Sequence, residues 1–225
     1  MKKKNTFLRV GLVLTALVVG FIVLGLFWPP YSPNAMDFSR LLPPSAAHPM
    51  GTDKFGRDIL SRVMVGAGDT LLIALGTVAI GTVVGTLVGA LTGWYGGWVD
   101  VVLMRLNDAL ASFPSILILL VLVSLLGGGR EHMTLALGIV FIPSYARIVR
   151  SEFARARTQN YVHSAELMGA STARILFVHI LPNIWHTLVS AITIGFNNAV
   201  LAEAAMSYLS IGVSPDEASL GYMLS

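Results

Sequence analysis

This sequence predicts an all-α, multi-pass transmembrane helical bundle, and three observations carry the prediction. Hydrophobic residues make up 55% of the 225-residue chain and charged residues 12%, too few to give a soluble domain its charged shell. Apolar runs of about 18 residues or more recur, the length that crosses a hydrocarbon layer. The fifteen basic residues collect in the segments between those runs. Cysteine is absent, which excludes disulfides, thiolate metal sites and cysteine nucleophiles. No basic patch with interleaved aromatics is present, so nucleic acid is not an expected partner.

The elements follow in order. Lys2, Lys3 and Lys4 precede an apolar stretch from Val10 to Trp28. A signal peptide starts the same way, but small residues in an A-x-A pattern would follow it. Trp28-Pro29-Pro30 follows here, so residues 1–28 are expected to hold an uncleaved first span. Residues 29–68 form a polar, initially proline-rich extracytoplasmic segment, and residues 69–225 carry the remaining spans. The second helix is expected from Thr70 to Gly93 and the third from Ala109 to Leu126, ended by Gly127-Gly128-Gly129. A fourth, from Met133 to Tyr145, is short enough that its helix is expected to run past the membrane face. An Arg-rich loop, 147–182, separates it from a fifth helix at Ile184 to Leu201. The tail from Glu203 to Ser225 contains no further spanning run.

Orientation follows from the basic residues. With a cytoplasmic N-terminus, Lys2, Lys3, Lys4, Arg9, Arg105, Arg147, Arg150, Arg155, Arg157 and Arg174 lie inside. Arg40, Lys54, Arg57, Arg62 and Arg130 lie outside. The excess inside favours a cytoplasmic N-terminus.

Gly81, Gly85, Gly89 and Gly93 stand four apart in the second helix, with Gly76 before them. That spacing puts them on one helix face, where glycine lets a neighbouring backbone approach closely. Helix packing is the expected role, since glycine offers a substrate no side-chain chemistry. The pattern from His48 to Arg62 reads differently. Asp58 and Arg62 are four apart and are expected to pair on an amphipathic helix that lies along the outer membrane face or against neighbouring spans, with Ile59, Leu60, Val63 and Met64 opposite.

The Arg-rich loop carries the most information. Tyr161 to Ala170 suits a short helix that Gly169 interrupts, and Ser171 to Ile180 suits another that Pro182 ends or kinks. Ala165, Leu167, Met168, Ile175, Leu176 and Phe177 are not the residues of a plain solvated loop. They require burial against the chain's own helices or against a partner. The five histidines, His48, His132, His163, His179 and His186, do not form a ligand set, so no metal site is expected.

Ser164-Ala165 with Gly169 six residues after His163, then Ile180-Leu181-Pro182-Asn183, resembles the EAA loop of ATP-binding-cassette importer permeases. His48-Pro49-Met50-Gly51-Thr52-Asp53-Lys54-Phe55-Gly56-Arg57-Asp58-Ile59-Leu60-Ser61-Arg62 is similar to the signature before the second helix of dipeptide, oligopeptide and nickel permeases. So are Trp94-Tyr95-Gly96-Gly97-Trp98-Val99-Asp100 and Met104-Arg105-Leu106-Asn107-Asp108. The chain departs from the pattern at His163, where Glu is usual, and at Ser164, where Ala is usual. The resemblance implies a type-I importer permease in the cytoplasmic (inner) membrane, without the family's final helix. It further implies a coupling loop made of His163, Ser164, Ala165, Glu166, Met168, Gly169, Ala170 and Pro182 that docks an ATPase. The implied partners are two ATPase subunits, a second homologous permease, an extracytoplasmic solute-binding protein and membrane lipid. The chain itself has no G-x-x-x-x-G-K-[ST] loop. No cofactor is expected on it, and ATP and Mg belong to the partner subunits. The implied cargo is peptide, nickel or a nickel chelate.

Two rival readings stand beside this one. An ion-gradient-driven secondary transporter would place ionisable groups or broken helices near mid-membrane, and the first three expected spans have no internal charge. An intramembrane serine protease would use Ser171 from Gly169-Ala170-Ser171, but that residue falls in the Arg-rich loop rather than at the end of a membrane helix.

Overall fold

The computed structural model describes residues 6–212 and 217–225. Lys2, Lys3 and Lys4, part of the orientation argument, lie outside the described residues. Helices dominate, and among the described residues the single β pairing is the isolated bridge Thr52–Asp58. The chain divides into two units, Met1–Leu72 with Ala204–Ser225, and Ile73–Glu203.

The first unit contains α1 (Thr6–Phe27), the start of α2 (Ile59–Tyr95), the end of α8 (Trp185–Tyr208) and the short α9 (Leu220–Met223). α1 is apolar on all sides and exposed along most of its length, burying Ile22 and Gly25. Gly25 lies so close to Met64 that an added Cβ would come within 2.5 Å of its Cβ. The segment between α1 and α2 is held by side chains rather than by regular structure. Tyr31, Phe38 and His48 pack on one another, Phe38 meeting both others edge-to-face, with the Phe38 and His48 ring centres 4.4 Å apart.

Asp58 is the N-cap of α2. Its Oδ2 accepts from the Ser61 N–H at 2.8 Å and the Ser61 hydroxyl at 2.7 Å, while His48 Nδ1 meets Oδ1 at 2.8 Å. Burial pushes the Asp58 carboxyl up, but the Ser61 donors and His48 outweigh it and leave the group below its ordinary value. Asp53 behaves likewise: burial raises it, and the Arg57 and Phe55 N–H groups with the Arg57 side chain bring it below normal.

This geometry corrects one expectation. Asp58 does not pair with Arg62, because its oxygens are occupied by Ser61 and His48. The buried Arg62 guanidinium instead donates to the Pro33 carbonyl at 2.9 Å and to Asn34 Oδ1 at 3.1 Å. The expected helix forms, and it packs against a neighbouring span, Met64 meeting Gly25 of α1. Residues 59–64 are the first turns of a 37-residue α2, which at 1.5 Å per residue is about 55 Å long and outreaches the hydrocarbon layer.

In the second unit, α2 is followed by α3 (Gly97–Ala111), α4 (Ser115–Leu126), α5 (Arg130–Arg157), α6 (Asn160–Leu167), α7 (Thr172–Arg174), a π-helical turn (Ile175–Ile180) and α8. Contacts set the directions. Gly76 meets Thr134, Gly85 meets Tyr145 and Ala146, and Gly93 meets Arg150 and Phe153, so α2 and α5 run parallel. Asp100 pairs with Arg150 through two hydrogen bonds, Asp108 pairs with Arg147 at 3.1 Å, and Asn107 Nδ2 donates to the Pro143 carbonyl. That order makes α3 antiparallel to α5.

The expected straight third span is therefore corrected. α3 and α4 meet at a 90° bend, because Pro114 cannot donate a backbone hydrogen bond and itself takes a non-helical ψ of 130° ahead of α4. The Ser112 hydroxyl covers a freed carbonyl, that of Ala109, at 2.7 Å. Two parallel helices joined by an intervening pair require that pair to return across the membrane. The bent pair is one broken span, not a re-entrant hairpin. With α1, α2, α5 and α8 it makes five crossings by length and composition among the described residues. α5 extends to Arg157, past the expected Tyr145, and α8 to Tyr208, past Leu201.

Candidate functional site

The loop after α5 is a compact structure on a core of its own. At 28 residues α5 is about 42 Å long, so its Arg-rich end continues beyond a hydrocarbon layer of about 30 Å. α6 follows at once. Its inward residues, Val162 and Ala165, are 0% and 3% exposed, and they join one apolar cluster with Trp94 of α2, Val149 and Phe153 of α5, Ile175, Leu176 and Ile180 of the π turn, and Leu188 of α8. That cluster ties the loop to three spans at once. Arg157 lies over the Trp94 ring, 5.9 Å from its centre, closing the end of the seam between α2 and α5.

A Schellman motif ends α6. The Ala170 N–H donates to the Ala165 carbonyl at 3.0 Å and the Gly169 N–H to the Glu166 carbonyl at 2.9 Å. Gly169 takes φ +79° with open space around its Cβ position, so glycine is required there by backbone conformation and not by a neighbour. The Ser171 side chain then accepts from the Arg174 N–H. It serves as a helix cap, which leaves the nucleophile reading without support. The π turn ends just before Pro182, and Asn183 Nδ2 donates back to the His179 carbonyl at 2.9 Å.

The predicted loop residues thus fall into two sets. Ala165 is buried, and Ala170 is half-buried against the same core. His163, Ser164, Glu166, Met168, Gly169 and Pro182 are exposed, with His163 Nδ1 3.3 Å from Glu166 Oε2. Sequence reasoning left two contributors out of the set. Val162 anchors the helix, a role its i, i+3 spacing from Ala165 could have signalled. Leu167 lies on the outer surface, where it is 90% exposed beside Met168 at 82%. Two large apolar side chains side by side in water mark a contact surface.

The glycine face of α2 lies against α5. An added Cβ at Gly85, Gly89 or Gly93 would fall 2.6 Å from Tyr145 Cβ, the Ala146 carbonyl oxygen or the Arg150 carbonyl oxygen respectively. Gly81 is looser, with Phe141 Cβ and the Tyr145 ring at 3.1 Å. Gly138 of α5 reciprocates against Ile80. Among the described residues no group of three or more His, Asp or Glu side chains could hold a metal ion.

Residues 85–225 match the family described as binding-protein-dependent transport system inner membrane component. A Brucella suis protein named for a peptide transport system permease is 40% identical over 96% of this chain and 73% of its own length. The dipeptide transport system permease protein of Alkalihalophilus pseudofirmus is 35% identical over 99% of the chain and 74% of its own length. The di/tripeptide transport system permease protein of Pseudomonas aeruginosa is 36% identical over 96% and 73%. Five apolar crossings and a projecting loop rooted in three of them fit that likeness, and the chain belongs to the family of inner-membrane components of binding-protein-dependent transport systems.

Proposed function

We propose that this chain is a permease subunit of an ATP-driven peptide importer, with its N-terminus and the loop 147–182 in the cytoplasm. Dipeptide and peptide permeases recur among its relatives, which favours peptide over nickel. The partners are two ATPase subunits that hold ATP and Mg, a second homologous permease and an extracytoplasmic solute-binding protein. No cofactor resides on this chain, and its own contribution is mechanical.

One observation carries the reading. α6 presents Leu167 and Met168 outward while its inner face is fused to α2, α5 and α8 by the apolar cluster. A cleft that closes on the outer face moves the whole element, and three spans move with it. Burying one such side chain contributes about 1.5–3 kcal/mol, enough for the pair to anchor an ATPase. His163, Ser164 and Glu166 supply the polar rim of the same contact, Gly169 turns the chain at its edge, and Pro182 closes the element.

The test is co-purification of the full chain with its ATPase subunits from mild detergent. Leu167→Asp with Met168→Asp is expected to abolish ATPase recovery while membrane insertion is unchanged, since both side chains lie outside the core. Undiminished recovery, or dipeptide uptake equal to wild type in proteoliposomes, would refute docking at this surface.

A further inference from the structure

Three helices place polar side chains beside one cavity. Ser144 lies at the midpoint of α5, and Asn198 lies within two residues of the midpoint of α8. Ser115 opens α4 directly after the Pro114 break. A cavity of about 310 Å³ is lined by all three, together with Leu119, Val140 and Phe141. A second cavity, of about 200 Å³, shares Ser115, Val140 and Ser144 and reaches Ala111 and Phe113 at the bend.

Hydrocarbon is a poor neighbour for this arrangement. An asparagine facing lipid at mid-span leaves a carboxamide with nothing to bond. Asn198 and Ser144 are nevertheless exposed on the surface of the chain. The helix break at Pro114 borders the same cavity, and irregular backbone within a span is tolerated where the chain is buried in protein or lines a polar passage. By contrast, Ser190 and Thr193 of α8 return their hydroxyls to carbonyls four residues back, the ordinary way a helix hides such groups in lipid.

We propose that this cavity is a substrate-contact site in which Asn198, Ser144 and Ser115 hydrogen-bond the backbone amides of a passing peptide. The inference rests on the peptide-importer reading above. Its chemistry points to the backbone rather than to side chains. A carboxamide offers a donor and an acceptor in one plane, as a peptide amide does, and each hydroxyl can do either. No charged residue lines the larger cavity. In the smaller one the single charged residue is Arg147, which is paired with Asp108. Neutral donors and acceptors in an apolar wall grip what all peptides share and ignore the charge of their side chains.

The full-length chain, assembled with its partners in proteoliposomes, tests this with a labelled dipeptide. Asn198→Leu and Ser144→Leu are each expected to lower uptake about tenfold, the loss of one or two hydrogen bonds in a water-poor site. Binding-protein-stimulated ATP hydrolysis should stay within about twofold of wild type in both, and Asn198→Gln should recover most of the uptake. The absence of cysteine allows a second readout, in which saturating dipeptide should slow alkylation of Asn198→Cys and Ser144→Cys. Wild-type uptake in both leucine variants, or alkylation indifferent to dipeptide, would overturn the site. Loss of the second permease from the variant complexes would also overturn it, reassigning the residues to subunit packing. A wild-type complex that moves no dipeptide would instead overturn the importer reading beneath it.

Discussion

Gly89→Ala is the sharpest probe of how the bundle is held. The new methyl carbon would lie 2.6 Å from the Ala146 carbonyl oxygen, 2.7 Å from Val149 Cβ and 2.8 Å from the Arg150 amide nitrogen. Contact between such atoms is comfortable near 3.5 Å, so α2 and α5 must part by close to one ångström. No rotamer change can relieve it, because two of the atoms are backbone and the third is a Cβ. Overpacking of this kind costs about 1–3 kcal/mol, and alanine's better helix propensity returns about 1 kcal/mol. Gly81→Ala gains the same propensity but meets the Tyr145 ring and Phe141 Cβ at 3.1 Å, and the ring can shift by a few tenths of an ångström. Gly89→Ala is therefore expected to be less stable than Gly81→Ala by about 1–3 kcal/mol, and Gly89→Leu lower still. Unfolding midpoints of the detergent-solubilised protein, titrated with a denaturing detergent, measure the difference. Equal midpoints, or a more stable Gly89→Ala, would refute the claim that backbone contact sets the spacing.

Ala165→Arg and Gly169→Ala should separate the inside of the loop from its edge: the first buries an unpaired charge in the cluster and lowers the yield of folded protein, whereas the second costs about 1–2 kcal/mol of left-handed backbone strain and keeps the fold, as limited proteolysis would register. Cysteines placed at the exposed Ser45 and Thr158 should react differently with a membrane-impermeant maleimide in intact cells, and equal labelling would contradict the proposed orientation. Asp58→Ala should lower thermal stability by about 1 kcal/mol through the lost cap, and by more through His48 left without its partner. Because the folded Asp58 and Asp53 carboxyls lie below their ordinary values, the stability they contribute is complete above the unfolded carboxylate pKa of about 4. It is lost as pH falls through the folded values, so melting temperature should drop below about pH 4 and drop less steeply in Asp58→Asn.

Much of this architecture was legible because it is repetitive. Length and apolarity mark α1, α2, α5 and α8 whatever their neighbours, and four glycines at a spacing of four mark a close approach without naming the helix that makes it. Local exceptions were harder to read. Hydropathy averaged over a span does not register one proline, so the break at Pro114 was hidden inside an apolar run. Asp58 and Arg62 satisfy the i, i+4 rule on paper, but that rule assumes both residues lie within the helix, and Asp58 is its cap. Loop residues were recognisable as needing burial. Which of them face the core depends on how α6 rolls against Trp94, Phe153 and Ile180, contacts between residues as much as 86 positions apart in the chain. Asn198 and Ser144 gave no signal, since single polar residues barely lower the hydropathy of a span.

The two parts of the second unit suit different mechanical tasks. Along α2 and α5, the contacts of Gly85, Gly89 and Gly93 with Ala146, Arg150 and Ala154 bring backbone against backbone, and such a pair moves as one body. α3 and α4 are joined by a bend with a proline at its centre, and the ion pairs that tie the bent span to α5 all lie on the α3 side of that bend: Asp100 with Arg150, Asp108 with Arg147. A push on α6 reaches the rigid pair through Trp94, Val149 and Phe153, all in the cluster that holds Val162 and Ala165. Motion of that pair against the bent span would open or close the space between them, which is where Ser115 and Ser144 meet. Rigidity at the proposed docking loop and a hinge beside the proposed substrate cavity are what a loop-driven gate requires.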